Sequence, residues 1–227
     1  IHDRANNKHC KTDTFCDCFR EEPLFELVHG LPGTGKSAVI GWISELFTDI
    51  LGWTHGSQFV RLAFQNSMAA NIRGKTINHW AQIAVSVDKG KRGIKKDIDE
   101  VFSRCQNIRF IIIDEISMVS AQLLAQMDMK LRGVVREIGT AKVGADKRHR
   151  SFGGLNVLLC GDFWQLDPVA EVALMKSPFR GAATQSETAQ RILNIFWGIG
   201  PRTVSKPPVE LTVNIRSAKD VWYASVI

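Results

Sequence analysis

The stretch Gly30-Leu31-Pro32-Gly33-Thr34-Gly35-Lys36-Ser37 has the residue types and spacing to hold a polyphosphate. It fits G-x-x-x-x-G-K-[S/T], the phosphate-binding loop in which glycines let backbone N–H groups approach phosphate oxygens. Gly30, Gly33, Thr34 and Gly35 would form the cradle, and the N-terminal end of the following helix would add its partial positive charge. Lys36 is expected to reach the β- and γ-phosphates of a nucleotide such as ATP, and the Ser37 hydroxyl to hold Mg²⁺.

A second group that could do chemistry ends an apolar run, Ile108-Arg109-Phe110-Ile111-Ile112-Ile113-Asp114-Glu115. Such a run marks a strand buried on both faces, as in a parallel sheet. Open α/β sheets bind ligands at the carboxyl ends of their strands, where these carboxylates fall. Asp114 is placed to hold Mg²⁺, and Glu115 to orient and deprotonate an attacking water.

The elements that must position these groups are legible around them. Leu24–His29 reads as a strand and Ser37 to about Ile50 as a helix with Val39, Ile40, Ile43, Leu46 and Phe47 near one face. Gln58–Phe64 and Leu155–Cys160 read as further strands, and Val209–Val213 as another. Helices are expected from Asp97, as N-cap, to about Arg104, and from about Ala121 to Ile138 behind Ser120 as N-cap. Residues 170–208 carry four prolines and one apolar segment around Ile192–Trp197, and yield no clear element. The expectation is one α/β domain with a central, mainly parallel sheet flanked by helices.

The 227 residues are 44% hydrophobic and 23% charged, enough for a domain with a full core. A net charge of +6 suits a polyanionic partner, nucleic acid before membrane. No apolar run reaches the length of a membrane span and no signal peptide is visible. Three features could touch a nucleic acid. Small and amide residues follow the strand in the stretch 65–76, Trp80 could stack on a base, and Lys89–Lys96 and Gly139–Arg150 are basic loops. Trp80 has a second reading, as the buried stripe of a helix with Ile77, Ile83 and Ala84. The five cysteines are odd in number, so free thiols are expected. His9, Cys10, Cys16 and Cys18 cluster in a polar leader, residues 1–22, at a spacing that matches no established zinc pattern.

Four blocks in fixed order carry a resemblance. They are Gly30–Ser37, then Ile112–Met118, then Phe152-Gly153-Gly154-Leu155 through Gly161–Val169, and finally Leu211–Arg216. Together they resemble the Pif-type (petite integration frequency) DNA helicases of helicase superfamily one, over residues 24–220. The resemblance implies a RecA-like motor domain and a 5′-to-3′, ATP-driven motor on single-stranded or forked DNA. By family it also implies roles in repair, recombination and telomere maintenance, and a nuclear or mitochondrial location. It adds two roles that spacing does not reach: Gln165 would sense the γ-phosphate, and Arg216 would neutralise transition-state charge. Met68–Thr76 is similar to the family's motif Ia. Nothing in the sequence resembles the family's last two motifs, which sit in a second RecA-like domain. The expectation is therefore a motor domain over 23–208, followed from 209 by the start of a linker or second domain, in a fragment unable to unwind alone. A non-catalytic DNA-binding remnant and another P-loop NTPase are the competing readings.

Overall fold

The computed structural model describes residues 23–83, 94–135, 143–144, 148–169, 171–179, 187–198 and 208–216. The leader with its His9/Cys10/Cys16/Cys18 cluster, residues 84–93 with the first part of the first basic loop, most of the second and residues 217–227 lie outside them.

Six strands form one sheet in the order β3-β2-β4-β5-β1-β6, every neighbouring pair parallel. They are β1 (Phe25–Gly30), β2 (Phe59–Ala63), β3 (Lys75–Thr76), β4 (Phe110–Ile113), β5 (Asn156–Gly161) and β6 (Val209–Leu211). The helices are α1 (Lys36–Glu45), α2 (Asn66–Asn71), α3 (Ile77–Trp80), α4 (Ile94–Cys105), α5 (Ala121–Val134) and α6 (Glu187–Phe196). The α/β architecture with a parallel sheet is as expected.

Alternation along each strand sorts the core into two layers. Ile111 and Ile113 of β4 join Val60, Leu62, Val157 and Leu159 against α4, α5 and α6. Phe110 and Ile112 face the other way, with Phe59, Leu158 and Cys160, against Ile40 of α1 and Phe47. Phe47 is fully buried, with the rings of Trp53, Phe59 and Phe110 around it at 4.9–5.1 Å. That aromatic knot ties the C-terminal end of the phosphate-loop helix to β2 and β4. The helix does not run on to Ile50 as one α-helix, because its last turn, Leu46–Ile50, widens into a π-helical turn.

Several expectations shift. The fourth helix starts at Ile94, so Asp97 lies inside it and is not its N-cap. Ser120 does cap α5, its hydroxyl accepting from the Leu123 N–H at 3.1 Å. The apolar segment in the unreadable region is α6, whose Ala189, Ile192, Leu193 and Ile195 are buried. Trp80 is 2% exposed within the core, which gives no face for a stacked base; the buried-stripe reading holds. Val209–Leu211 pairs with β1 in this same sheet. Cys105 and Cys160 are free and buried. No helix among the described residues is long and apolar enough to cross a membrane.

Candidate nucleotide site

Three strands at the centre of the sheet deliver the expected residues to one end. β5 lies between β1 and β4, pairing with both. The phosphate loop follows β1, the two carboxylates follow β4, and Gln165 follows β5.

The loop closes tightly on itself. The Thr34 hydroxyl donates to Leu31 O at 2.8 Å and the Thr34 N–H to the same oxygen at 3.3 Å. Gly35 precedes α1 in a left-handed conformation (φ 99°), and no side chain caps the helix, leaving its first turn without a competing acceptor from the cap. Lys36 is buried, and its Nζ donates to Gly30 O at 2.6 Å and Leu31 O at 3.1 Å. An ammonium folded against loop carbonyls is held at the loop's own centre, where a polyphosphate would compete for its protons. Ser37 is exposed.

Asp114 continues the β4 direction, its N–H donating to Leu62 O at 2.8 Å, and is buried. Burial lifts its carboxyl from 3.8 to about 6, the neighbouring Glu115 charge adds to the rise, and a backbone N–H bond and Lys36 oppose it. Glu115 sits in the left-handed region (φ 51°, ψ 48°), costly for a residue with a side chain. That turn explains why the strand ends before the acidic pair. The backbone reverses into Ile116–Met118 and leaves Glu115 half-buried at the sheet's end.

Gln165 is exposed, and its side-chain Nε2 donates to Asp162 Oδ2 at 3.1 Å. Asp162 is buried and also accepts from the Trp164 N–H at 3.0 Å. Asp162 carries no role that the sequence alone would assign. The only signal was its place three residues before Gln165.

Arg216 comes to the loop through backbone contacts. The Ile215 and Arg216 N–H groups donate to Gly33 O at 2.9 and 3.2 Å, and Asn214 Nδ2 donates to Pro32 O at 3.1 Å. Gly33 (φ 82°) is required there: a Cβ would stand 2.6 Å from Asn214 Oδ1 and 2.8 Å from Arg216 Cβ. Asn214 was not singled out by sequence, since an amide beside an arginine carries no pattern of its own. Lys36, Ser37, Asp114, Glu115, Gln165 and Arg216 therefore all lie on segments that leave one end of the sheet.

Whether Mg²⁺ suits this site is testable on the donor set. A hydroxyl beside the loop lysine and a carboxylate penalised by burial and by its neighbour are hard-oxygen donors whose strain a divalent cation would relieve. The residues fit.

A second charged region lies at the sheet's edge. Arg61 projects from β2, its guanidinium donating to Arg73 O at 3.3 Å and to Ser44 Oγ at 3.5 Å. His55 Nε2 accepts the Arg61 backbone N–H at 3.2 Å. Burial, then the charges of Arg61 and Lys75, push His55 down from 6.5 to about 4.

A loop-to-helix phosphate cradle on a fully parallel sheet with an acidic strand end defines the P-loop NTPase class, in its RecA-like form. The chain belongs to the PIF1-like helicase family, whose model matches residues 12–198. It is 32% identical over 146 residues to the ATP-dependent DNA helicase PIF1 of Saccharomyces cerevisiae, covering 63% of this chain and 15% of that protein. Against the human ATP-dependent DNA helicase PIF1 the figures are 29% over 146 residues, 63% and 20%. The chain thus spans about a fifth or less of these relatives. The crystal structure of the Candida albicans Pif1 helicase matches 89% of this chain and 39% of its own at TM-score 0.56 and 23% identity. A Bacteroides Pif1 helicase in complex with ADP-AlF3 and single-stranded DNA matches 92% and 42% at TM-score 0.53 and 21% identity. These likenesses establish the fold.

Proposed function

We propose that these residues form one face of the ATP site of a DNA helicase motor that moves 5′ to 3′ along single-stranded DNA. The carrying observation is the convergence of four separate segments, the last held to the first by the Gly33–Ile215 and Gly33–Arg216 hydrogen bonds. In this reading Gly30, Gly33, Thr34, Gly35 and Lys36 hold the triphosphate, and Ser37 and Asp114 hold Mg²⁺. The metal would screen charge on the phosphates. Glu115 accepts the proton of the attacking water, Gln165 senses the terminal phosphate, and Arg216 offsets charge that develops in the transition state. A second RecA-like domain would supply the opposite face. Closure of two such domains around nucleotide is what makes a step along the strand.

Single-stranded or forked DNA is the polyanion the positive charge would serve, and the cation-rich edge formed by Arg61, Arg73 and Lys75 includes part of the stretch 68–76 similar to motif Ia. Such a motor works where chromosomal DNA is, in the nucleus or mitochondrion. By the same family likeness its roles would lie in repair, recombination and telomere maintenance.

The test is a strand-displacement assay on a 5′-tailed fork. The 227 residues alone should bind Mg–ATP and unwind little or nothing. Joined to a second RecA-like domain, they should unwind with ATP, and single-stranded DNA should stimulate phosphate release. Robust unwinding by the 227 residues alone would refute the division of labour. Absence of DNA stimulation in the two-domain protein would favour an NTPase of another kind.

A further inference from the structure

His29 is the last residue before the phosphate loop, and nothing in the motif needs a histidine there. In the β1–β5 register it stands opposite Gly161, the residue before Asp162. Its Nε2 accepts the Phe163 N–H at 3.4 Å and lies 3.8 Å from Asp162 Oδ1. Its ring lies parallel to that of Phe163, with 4° between planes and 6.0 Å between centroids. Phe163 in turn meets the ring of Phe196 on α6 edge-on at 5.5 Å. The segment that carries Gln165 is thus gripped from the strand that carries the phosphate loop.

Asp162 decides which end of Gln165 is presented. A carboxylate accepts and does not donate, so the Gln165 amide must turn its NH₂ toward Asp162 and its Oε1 away. An outward Oε1 can accept a hydrogen bond from water, and an outward NH₂ cannot. The Asp162 side chain is 1% exposed, so water does not readily replace its partners. Gly161 extends the coupling to β4: a Cβ there would stand 2.9 Å from the Ile116 N, so the turn after Glu115 rests directly on this backbone.

We propose that His29 and Asp162 form a latch that ties Gln165 to the phosphate-loop strand. His29 is a positioning residue acting through the 162–165 backbone, and Asp162 fixes the amide of Gln165 with Oε1 outward. The assignment rests on the reading of Gln165 as the residue facing the terminal phosphate.

The test uses the 227-residue chain, with amide hydrogen exchange and Mg–ATPγS affinity measured on the same samples. His29→Leu removes the acceptor, whereas His29→Gln places an amide oxygen near the position of Nε2. In His29→Leu, exchange at Phe163–Gln165 should accelerate about tenfold without nucleotide, while β4 and α5 amides and the Mg–ATPγS Kd stay within about twofold of wild type. His29→Gln should restore slow exchange. Asp162→Asn is the second variant: its Oδ1 can keep the Trp164 N–H, but the Gln165 side-chain NH₂ should lose protection and shift its NMR resonance. Unchanged exchange at 163–165 in His29→Leu, or no rescue by His29→Gln, overturns the latch, as does an unmoved Gln165 side-chain resonance in Asp162→Asn. If wild type fails to bind Mg–ATPγS, the nucleotide-site reading falls, and the nucleotide-free exchange still decides the latch.

Discussion

The centre of the sheet and its β2–β3 edge bury charge in opposite senses. At the centre, burial and the Glu115 charge push the Asp114 carboxyl up to about 6, so the fold prefers it protonated. At the edge, burial and the charges of Arg61 and Lys75 push His55 down to about 4, so the fold prefers it neutral. Each region carries a cost that a ligand of one sign would remove: a cation at Asp114, an anion beside Arg61, Arg73 and Lys75. Under the proposed function, one parallel sheet would address a metal–nucleotide at its middle and a phosphodiester at its rim.

The largest effect expected is at the centre. Lys36→Ala should weaken Mg–ATP binding at least about a hundredfold, because one ammonium serves the phosphates in this loop. Titration calorimetry reads it, and affinity within threefold of wild type would mean that the loop holds nucleotide by backbone alone. Next comes Asp114→Asn, expected to cost Mg²⁺-dependent binding tenfold or more. The same change should stabilise the ligand-free chain at pH 7. The rise from 3.8 to about 6 corresponds to at most about 3 kcal/mol of penalty for the charged form. The sign follows from linkage: a raised carboxyl contributes stability present below about pH 4 and lost as pH rises through about 6. Wild type should thus gain from this group on acidification, and Asp114→Asn should not. A melting temperature for Asp114→Asn below that of wild type at pH 7 would count against the buried-charge account.

How much of this contrast the sequence carries differs between the regions. The centre is legible because its chemistry is local. Gly30–Ser37 and Ile108–Glu115 hold their strand, turn and functional residues within one short run each, and the structure puts both where the runs imply. Gln165 and Arg216 needed the family resemblance, since their place depends on which strands become neighbours. The latch was illegible for the same reason: His29 and Asp162 meet across β1 and β5, 133 positions apart in number, and no periodicity reports that pairing. At the edge, Trp80 carried two readings because an aromatic in a polar stretch reads the same whether its ring faces solvent or core; its burial in the cluster that also holds Ile77 and Leu62 decided for the buried stripe. The helix expected from Asp97 begins earlier because a good N-cap type is also tolerated within a helix when the surrounding segment is already helical.

Smaller effects sharpen the edge side of the comparison. Lys75 is exposed on the short edge strand β3, so Lys75→Ala should leave nucleotide affinity untouched while weakening single-stranded DNA binding a few-fold. One lost phosphate contact reduces the slope of log K against log salt by roughly 0.7 for a single strand. Binding by fluorescence anisotropy across a salt series checks this. A uniform loss of affinity with an unchanged slope would place Lys75 outside the phosphate contacts.

The smallest effect is the pH response of His55, and it is the one that most directly sets edge against centre. A histidine whose folded value is lowered contributes stability that is intact above its unfolded value near 6.5 and is lost as pH falls toward about 4. The geometry agrees, because Nε2 accepts the Arg61 N–H and cannot do so once protonated. Acidification from pH 7 to pH 5 therefore loads a cost on the edge while lifting one at the centre, and the wild-type melting temperature should change less than either group alone would dictate. His55→Gln keeps an acceptor and removes the titration, so it should stand above wild type in relative stability at pH 5 while matching it closely at pH 7. Asp114→Asn should show the reverse bias, and the double variant should have the flattest profile of the four. Single variants that both keep the wild-type slope would mean that neither burial controls the acid response, and that the opposition between centre and edge has no energetic weight.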